Sequence, residues 1–256
     1  MSSPSPVTAD ILRWSGSSLE LLDHCDLTET SIVAADSWLV RDGRTLALDL
    51  HRRRFLEAAP GAEKFWDAAI AAIPREGDWF PRVEQHGNGR RLLRMRSAPE
   101  RTRSAILTTH RGPDPRTVPE TKGPDLDAMR RVRATAQKQG ADEAVITTPE
   151  GYVVEGAYSA IAWWRGSILC SPPAEFARVD SVTARSLVTL ASALGIDTHE
   201  EAVTPAELDG TEIWTLNALH GPRIVTRWID GPEVAELPGR LAAWSTRLAA
   251  LARPLA

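Results

Sequence analysis

The segment from Arg111 to Pro124, RGPDPRTVPETKGP, constrains the fold of this chain more than any other, because neither a helix nor a central strand can run through it. Each proline fixes φ, removes an N–H donor and pushes the residue before it towards extended backbone. With four prolines and two glycines, the stretch reads as a stiff, extended linker. A chain of 256 residues is long enough for two modest cores, one on each side of such a break. The expected organisation is a disordered tail over 1–8, a small N-terminal α+β domain over 9–113, the linker over 114–124, and a larger C-terminal α/β domain over 125–256.

In the first half, Ser31–Val40 reads as a strand, and Asp42-Gly43 as a turn into Thr45–Leu48. A short helix is expected from about His51. A second runs over about Gly61–Ile73, where Phe65, Trp66, Ala69, Ile70 and Ile73 share one face. Strands follow at Trp79–Gln85, Arg91–Arg96 and Ser104–Thr109. Beyond the linker, a helix is expected from Asp125, as N-cap, to Gln139, with Gly140 ending it. A meander of strands comes next, at Ala144–Thr148, Tyr152–Glu155, Ser159–Trp164 and Ser167–Cys170. A helix starting near Asp180–Thr183 carries Leu187, Leu190, Ala191 and Leu194 on one face. Thr204-Pro205-Ala206-Glu207 has the form of a capping box. Strands at Glu212–Leu216 and Arg223–Trp228, then a helix from about Val234, complete the chain.

Composition excludes several classes. Net charge is −4, and the arginines are scattered among acids, which argues against a nucleic-acid surface. The opening MSSPSPVT has neither a basic nor an apolar region, so no signal peptide is expected, and no apolar run reaches membrane-spanning length. Cys25 and Cys170 are too few for a disulfide framework or a zinc site, and read as reduced thiols in a cytoplasmic protein. Nine tryptophans point to a well-filled core or a flat-walled pocket.

Of 30 basic residues only three are lysines (Lys64, Lys122 and Lys138), which leaves 27 arginines. A guanidinium stays protonated, whereas a desolvated lysine can act as a nucleophile. Lys64 and Lys138 sit among polar neighbours in helical segments. Lys122, in Thr121-Lys122-Gly123-Pro124 just ahead of a helix, is the candidate for chemistry.

With these elements placed, the chain resembles the class IV aminotransferase family, the fold-type IV pyridoxal-phosphate enzymes, from roughly Thr28 to Gly231. The resemblance implies a two-domain α/β fold with α+β character, like that of D-amino-acid and branched-chain aminotransferases. It also implies pyridoxal 5'-phosphate in the cleft beside the linker, a small amino substrate, and a homodimer. Lys122 matches the lysine that forms a Schiff base with the cofactor. In His51-Arg52-Arg53-Arg54-Phe55, Arg54 matches the family's phosphate-holding arginine; a solvated helix face is the other reading of these arginines. In Val153-Val154-Glu155-Gly156, Glu155 matches the glutamate facing the pyridine nitrogen, although Ala160 stands where the family usually has asparagine.

Val179-Asp180-Ser181-Val182-Thr183-Ala184 keeps Val182 and Thr183 of the phosphate loop but lacks its proline, glycine and arginine. The backbone N–H groups of a helix N-terminus could still bind a phosphate there. Asn217-Ala218-Leu219 matches the aminodeoxychorismate lyase branch better than the Gly-Thr-Ala of transaminases, with Asn217 and Ala218 completing the phosphate cup. Asp36, Ser37 and Trp38 either line the substrate side or are ordinary strand residues. Arg94 and Arg96 either hold a substrate carboxylate or are surface charge. The expected activity is pyruvate elimination giving 4-aminobenzoate. The alternatives are a branched-chain or D-amino-acid-type transaminase, and a non-catalytic family member used as a binding module.

Overall fold

The computed structural model describes residues 10–22 and 30–255; the expected tail over 1–8 and Cys25 lie outside them. The chain divides into two compact units. One comprises the residues up to Glu100 together with Thr121–Pro124 and Ala252–Ala256; the other comprises Arg101–Glu120 and Asp125–Leu251. These borders differ from the expected ones. The strand Ser104–Thr109 belongs with the second unit, and the segment holding Lys122 belongs with the first. The final residues return to the first unit because Leu255 donates its N–H to the Gly43 carbonyl and buries its side chain in that unit's core.

The first unit starts with β1 (Asp10–Trp14), β2 (Leu19–Leu21), β3 (Ile32–Ser37), β4 (Val40–Arg41) and β5 (Arg44–Thr45). Helices α1 (Leu48–Ala58) and α2 (Glu63–Ala72) follow, then β6 (Asp78–Trp79), β7 (Arg82–His86) and β8 (Arg91–Met95). The main sheet has the order β2-β1-β8-β7-β3 and is antiparallel throughout. Its core is aromatic: Phe65, Trp66, Ala69 and Ile70 of α2 pack with Phe55 of α1 and with Trp38. The Trp38 and Trp66 rings lie 4.9 Å apart, centroid to centroid.

The second unit contains β9 (Ser104–Thr109), α3 (Leu126–Lys138), β10 (Glu143–Thr147), β11 (Val153–Gly156), β12 (Ala160–Arg165) and β13 (Ile168–Ser171). Then come α4 (Val182–Ala193), β14 (Thr198–Glu200), β15 (Thr211–Asn217), β16 (Gly221–Ile229), β17 (Val234–Ala235) and α5 (Arg240–Ala250). The short β18 (Arg253–Pro254) pairs with β5 in the first unit. The large sheet has the order β11-β10-β9-β16-β15-β12-β13-β14, with β17 beside β15, and mixes parallel and antiparallel pairs. Leu107, Val145, Ile161, Trp163, Ile213 and Val225 build its inner core, while α3 buries Met129, Val132 and Ala136 against a separate cluster. Trp214 meets Trp164 and Trp244 edge to face, and Trp164 and Trp244 are tilted against each other, with centroids 5.4 to 6.2 Å apart. The tryptophans therefore fill cores, with Trp14 and Trp79 packed at their margins.

Two expectations need correction. Asp125 stands at the N-cap position of α3, but its side chain does not cap the helix. Its carboxylate instead accepts from the N–H and hydroxyl of Thr117 and from the N–H of Val118, at 2.8 to 2.9 Å, pinning the proline-rich segment. The last helix begins at Arg240 rather than Val234, because Pro238 and the left-handed Gly239 interrupt any earlier start. Val234–Ala235 pairs in parallel with Thr211–Glu212 instead. Among the described residues no helix is long and apolar enough to cross a membrane, and no group of side chains could hold a metal ion.

The aromatic core of the first unit gives a direct test. Phe65 is 0% exposed, so Phe65→Ala should lower the unfolding free energy by about 3–5 kcal/mol. Its exposed neighbour Lys64, changed to alanine, should stay within about 0.5 kcal/mol in the same urea titration.

Candidate active site

The first unit's cluster is organised around Asp36, which is 0% exposed. The His-x-x-Arg spacing on α1 places His51 and Arg54 one turn apart on the same face, both towards β3. Arg54 grips the Asp36 carboxylate with a fork, Nε to Oδ2 at 2.8 Å and Nη2 to Oδ1 at 2.7 Å. His51 Nδ1 lies 2.9 Å from Oδ1, and the Ser37 N–H donates to the same oxygen at 2.7 Å. Burial alone would raise the Asp36 carboxyl, but Arg54 and His51 hold it far below the ordinary carboxylate range. Burial pushes His51 down, so the ring is neutral and Nδ1 carries the donated proton. Arg52 and Arg53 are exposed. Trp38 is a core residue, and the Asp36 oxygens face protein partners rather than an open surface.

Lys122 reaches this cluster through the backbone. Its carbonyl accepts from the Ala35 N–H at 2.7 Å, which splices the Thr121–Pro124 segment onto β3. Gly123 makes that approach possible. Its φ is +150°, and a Cβ there would stand 2.7 Å from the Ala34 Cα, closer than any side chain tolerates. Burial pushes the Lys122 amine down to about 8; Asp36 opposes the shift, and Arg54, Arg82 and Arg96 add to it. An amine so placed is a usable base near neutrality.

The sheet face that carries Ser37, Arg82, Glu84 and Arg94 is rich in cations. Arg82 and Arg94 are direct cross-strand partners, an arrangement that like charges disfavour. One carboxylate sits between them: Glu84 Oε1 meets Arg82 at 2.5 Å and Arg94 at 2.7 Å, while Oε2 meets His86 at 3.0 Å. Burial would raise Glu84, but the His86 hydrogen bond and the two arginines pull it to about 2. Arg96 donates to the Phe80 carbonyl at 3.1 Å and lies over the Phe80 ring, with no carboxylate in ion-pair range among the described residues. Burial, with Arg82 and Arg94 nearby, lowers it to about 10. Arg82 and Glu84 carried no signal in the sequence, because only the pairing of β7 with β8 assembles them with Arg94.

The second unit holds the remaining candidates. Glu155, on β11, is held by Arg116, whose other bonds go to Asp114. Burial pushes the Glu155 carboxyl up to about 7, against Arg116, the Val179 N–H and Arg178. At α4 the Ser181 hydroxyl caps the Ala184 N–H at 3.3 Å, and the amides of Val182 and Thr183 open the helix. Such first-turn amides have no intrahelical partner and suit an anion. Asn217 Oδ1 accepts from the N–H groups of Leu219 and His220 at 3.1 and 2.8 Å, fixing the turn that bears Ala218. Ala160, in place of asparagine, is a buried strand residue. Taken unit by unit, the Lys122 amine of the first suits an aldehyde, and in the second the first-turn amides of α4 suit a phosphate and the Glu155 carboxylate suits a pyridinium nitrogen. These residues fit pyridoxal phosphate.

Two substitutions, with Gly140→Ala as a control, test the first cluster. Gly123→Ala should lower stability by about 2–4 kcal/mol, because the clash is with backbone. Gly140→Ala, at φ +82° in open space, should cost only about 1 kcal/mol. Asp36→Asn leaves Arg54 facing a neutral amide and should cost about 3–5 kcal/mol at neutral pH. The folded Asp36 carboxyl is depressed, so its stabilisation is complete above the ordinary value of 3.8 and fades as pH falls below it. The variant should therefore lose part of the wild type's acid limb in a pH series of urea melts.

The family model for amino-transferase class IV matches residues 34–228. A comparison with curated proteins finds no match. Solved structures with the same fold include the fold IV transaminase CpuTA1 from Curtobacterium pusillum, with TM-score 0.79, 17% identity, and coverage of 94% of this chain and 97% of that one. The branched-chain aminotransferase from the archaeon Thermoproteus uzoniensis, with norvaline, gives TM-score 0.81 at 17% identity, covering 97% and 100%. A hypothetical aminotransferase from Mycobacterium tuberculosis in its PLP-bound form gives 0.77 at 19%, covering 95% and 98%. With the family model spanning most of the chain from β3 to β16, the protein belongs to the class IV aminotransferase family.

Proposed function

We propose that this pyridoxal-phosphate enzyme of the class IV aminotransferase family is aminodeoxychorismate lyase-like, eliminating pyruvate to give 4-aminobenzoate. The carrying observation is the arginine-rich sheet face. Arg82 and Arg94 share one carboxylate, Glu84, and Arg96 bonds only the Phe80 carbonyl among the described residues, which favours a substrate with more than one acid group. Aminodeoxychorismate has two carboxylates, whereas a branched-chain amino acid has one and an apolar tail. Asn217-Ala218-Leu219 supports the same choice. Branched-chain transamination is the second reading, favoured by the fold shared with the Thermoproteus uzoniensis and Escherichia coli branched-chain enzymes. The third, a binding module without catalysis, rests on the altered phosphate loop and on Ala160.

Bound pyridoxal phosphate supplies the electron sink that makes the substrate's amine-bearing carbon acidic. With the cofactor bound, Lys122 Nζ would be the amine that holds its aldehyde carbon and, when free, would take the proton from the substrate's amine-bearing carbon. In the lyase reaction the adjacent C–O bond breaks and its electron pair leaves with enolpyruvate, which takes a proton to become pyruvate. The ring left behind is aromatic. Glu155 would hold the proton of the ring nitrogen, and Arg94 and Arg96 would hold a substrate carboxylate. The amides of Val182 and Thr183 and the Asn217–Ala218 turn hold the phosphate. Arg54, the match to the family's phosphate-holding arginine, also orders Asp36 beside Lys122 through its fork.

The test starts with the absorption spectrum of the protein with pyridoxal phosphate, before and after borohydride, beside Lys122→Ala. A visible band fixed by reduction in the wild type and absent from the variant is expected. Only the neutral amine attacks an aldehyde, so capture should quicken with pH about a midpoint near 8. Pyruvate and 4-aminobenzoate should then form in equal amounts from aminodeoxychorismate. Amino transfer to branched 2-oxo acids without pyruvate would establish the second reading, and no band at all the third.

A further inference from the structure

We propose that Arg116 is a positioning residue for Glu155, a cation locked by Asp114 that favours the ionised form of the buried carboxyl beside the cofactor's ring nitrogen. This rests on the reading of Glu155 as the nitrogen's partner, but its physical basis lies in the second unit alone. Glu155 has only 10% of its side chain exposed, and a carboxylate removed from water in this way reverts to the neutral acid unless a cation faces it. A neutral acid could not hold a proton on the ring nitrogen. The electron sink would then weaken with every other group in place.

Arg116 supplies that cation in a form that cannot swing away. Its side chain is 4% exposed. Its backbone N–H reaches Asp114 Oδ1 at 2.9 Å, Nε spans both oxygens at 2.9 and 3.0 Å, and Nη2 reaches Oδ2 at 2.6 Å. The remaining nitrogen, Nη1, meets Glu155 Oε1. Pro113 and Pro115 flank Asp114 and fix φ on both sides, so the carboxylate that orders the arginine is itself pre-set by the local chain. The proline-rich segment is thereby a mount for one guanidinium as well as a break in secondary structure.

Among the described residues no second guanidinium hydrogen-bonds Glu155. Arg178 lies near enough to act through space, but its N–H groups go to the carbonyls of Pro172, Pro173 and Phe176. From the segment before α4 the Val179 N–H adds one hydrogen bond, and the residue paired with Glu155 on β10 is the apolar Ile146. Behind Arg116 stands Asp114, with His110 beside it. Removing Arg116 therefore takes away the largest influence opposing burial, and protonation of Glu155 should extend to higher pH.

The test reads the Glu155 carboxyl directly, by infrared difference of each protein against the same protein carrying Glu155→Gln, across pH, with and without pyridoxal phosphate. In Arg116→Met the protonated-acid band should persist to a midpoint at least about one pH unit above that of the wild type. Arg116→Lys should fall between the two, and Asp114→Asn should shift in the same direction as Arg116→Met. In the loaded enzyme the visible band's pH dependence should move with the infrared midpoint. Equal midpoints in folded wild type and Arg116→Met would overturn the proposal. If Arg116→Met does not fold, an unshifted Asp114→Asn would overturn it equally. Failure of wild type to form a reducible band at Lys122 would instead reject the cofactor reading, and the infrared titration of the unloaded protein would still decide the role of Arg116.

Discussion

The buried carboxylate of Asp36 is the contact on which the candidate site's first half depends. A lone carboxylate in that position would be untenable, and a lone guanidinium beside it equally so. Together, with His51 as a third member, they tie β3 to α1. The preceding residue of the same strand, Ala35, holds Lys122 by a backbone hydrogen bond, so the amine's position is inherited from the ion pair's strand. Asp36 also opposes the loss of the Lys122 proton, while Arg54, Arg82 and Arg96 favour it. The amine is thus tuned by a balance of fixed charges and burial, not by one neighbour.

The two units solve the same electrostatic problem with opposite polarity. In the first, burial depresses an amine and a carboxylate restrains the shift; in the second, burial raises a carboxylate and a guanidinium restrains it. In both, the restraining group is itself held rigid by a further partner, Arg54 on Asp36 and Asp114 on Arg116. Ordering a long charged side chain is entropically costly, and a fork of hydrogen bonds confines it at the least loss per bond. A class of enzyme that works by proton transfer needs groups poised in this manner.

Much of the fold was legible because its elements are amphipathic. The α2 stripe of Phe65, Trp66, Ala69 and Ile70, and the α3 stripe of Met129, Val132 and Ala136, bury the residues their spacing indicates. The strands that escaped notice lack such a pattern. Thr198–Glu200 is exposed throughout, Arg253–Pro254 is a two-residue edge, and Asp10–Trp14 is half-exposed with no clear alternation. Their pairing comes from neighbours already in place, and no local signal encodes it. Asp125 misled for a related reason: its carboxylate could cap α3 or clamp Thr117 and Val118, and the nearby loop offered more donors.

The sequence by itself determined where helices and strands could form, that the proline-rich stretch interrupts them, and that Lys122 is the rare amine in an arginine-rich chain. It also carried the order of motifs that the family model matches over residues 34–228. Those are local properties of residue type and spacing. Tertiary structure alone decided which charges meet. Arg54 lies 18 residues from Asp36, and Arg116 lies 39 from Glu155. Gly123 shows its necessity only against the backbone of Ala34. Charges separated along the chain acquire perturbed proton affinities only when packing excludes water from between them, and no spacing rule reports that exclusion.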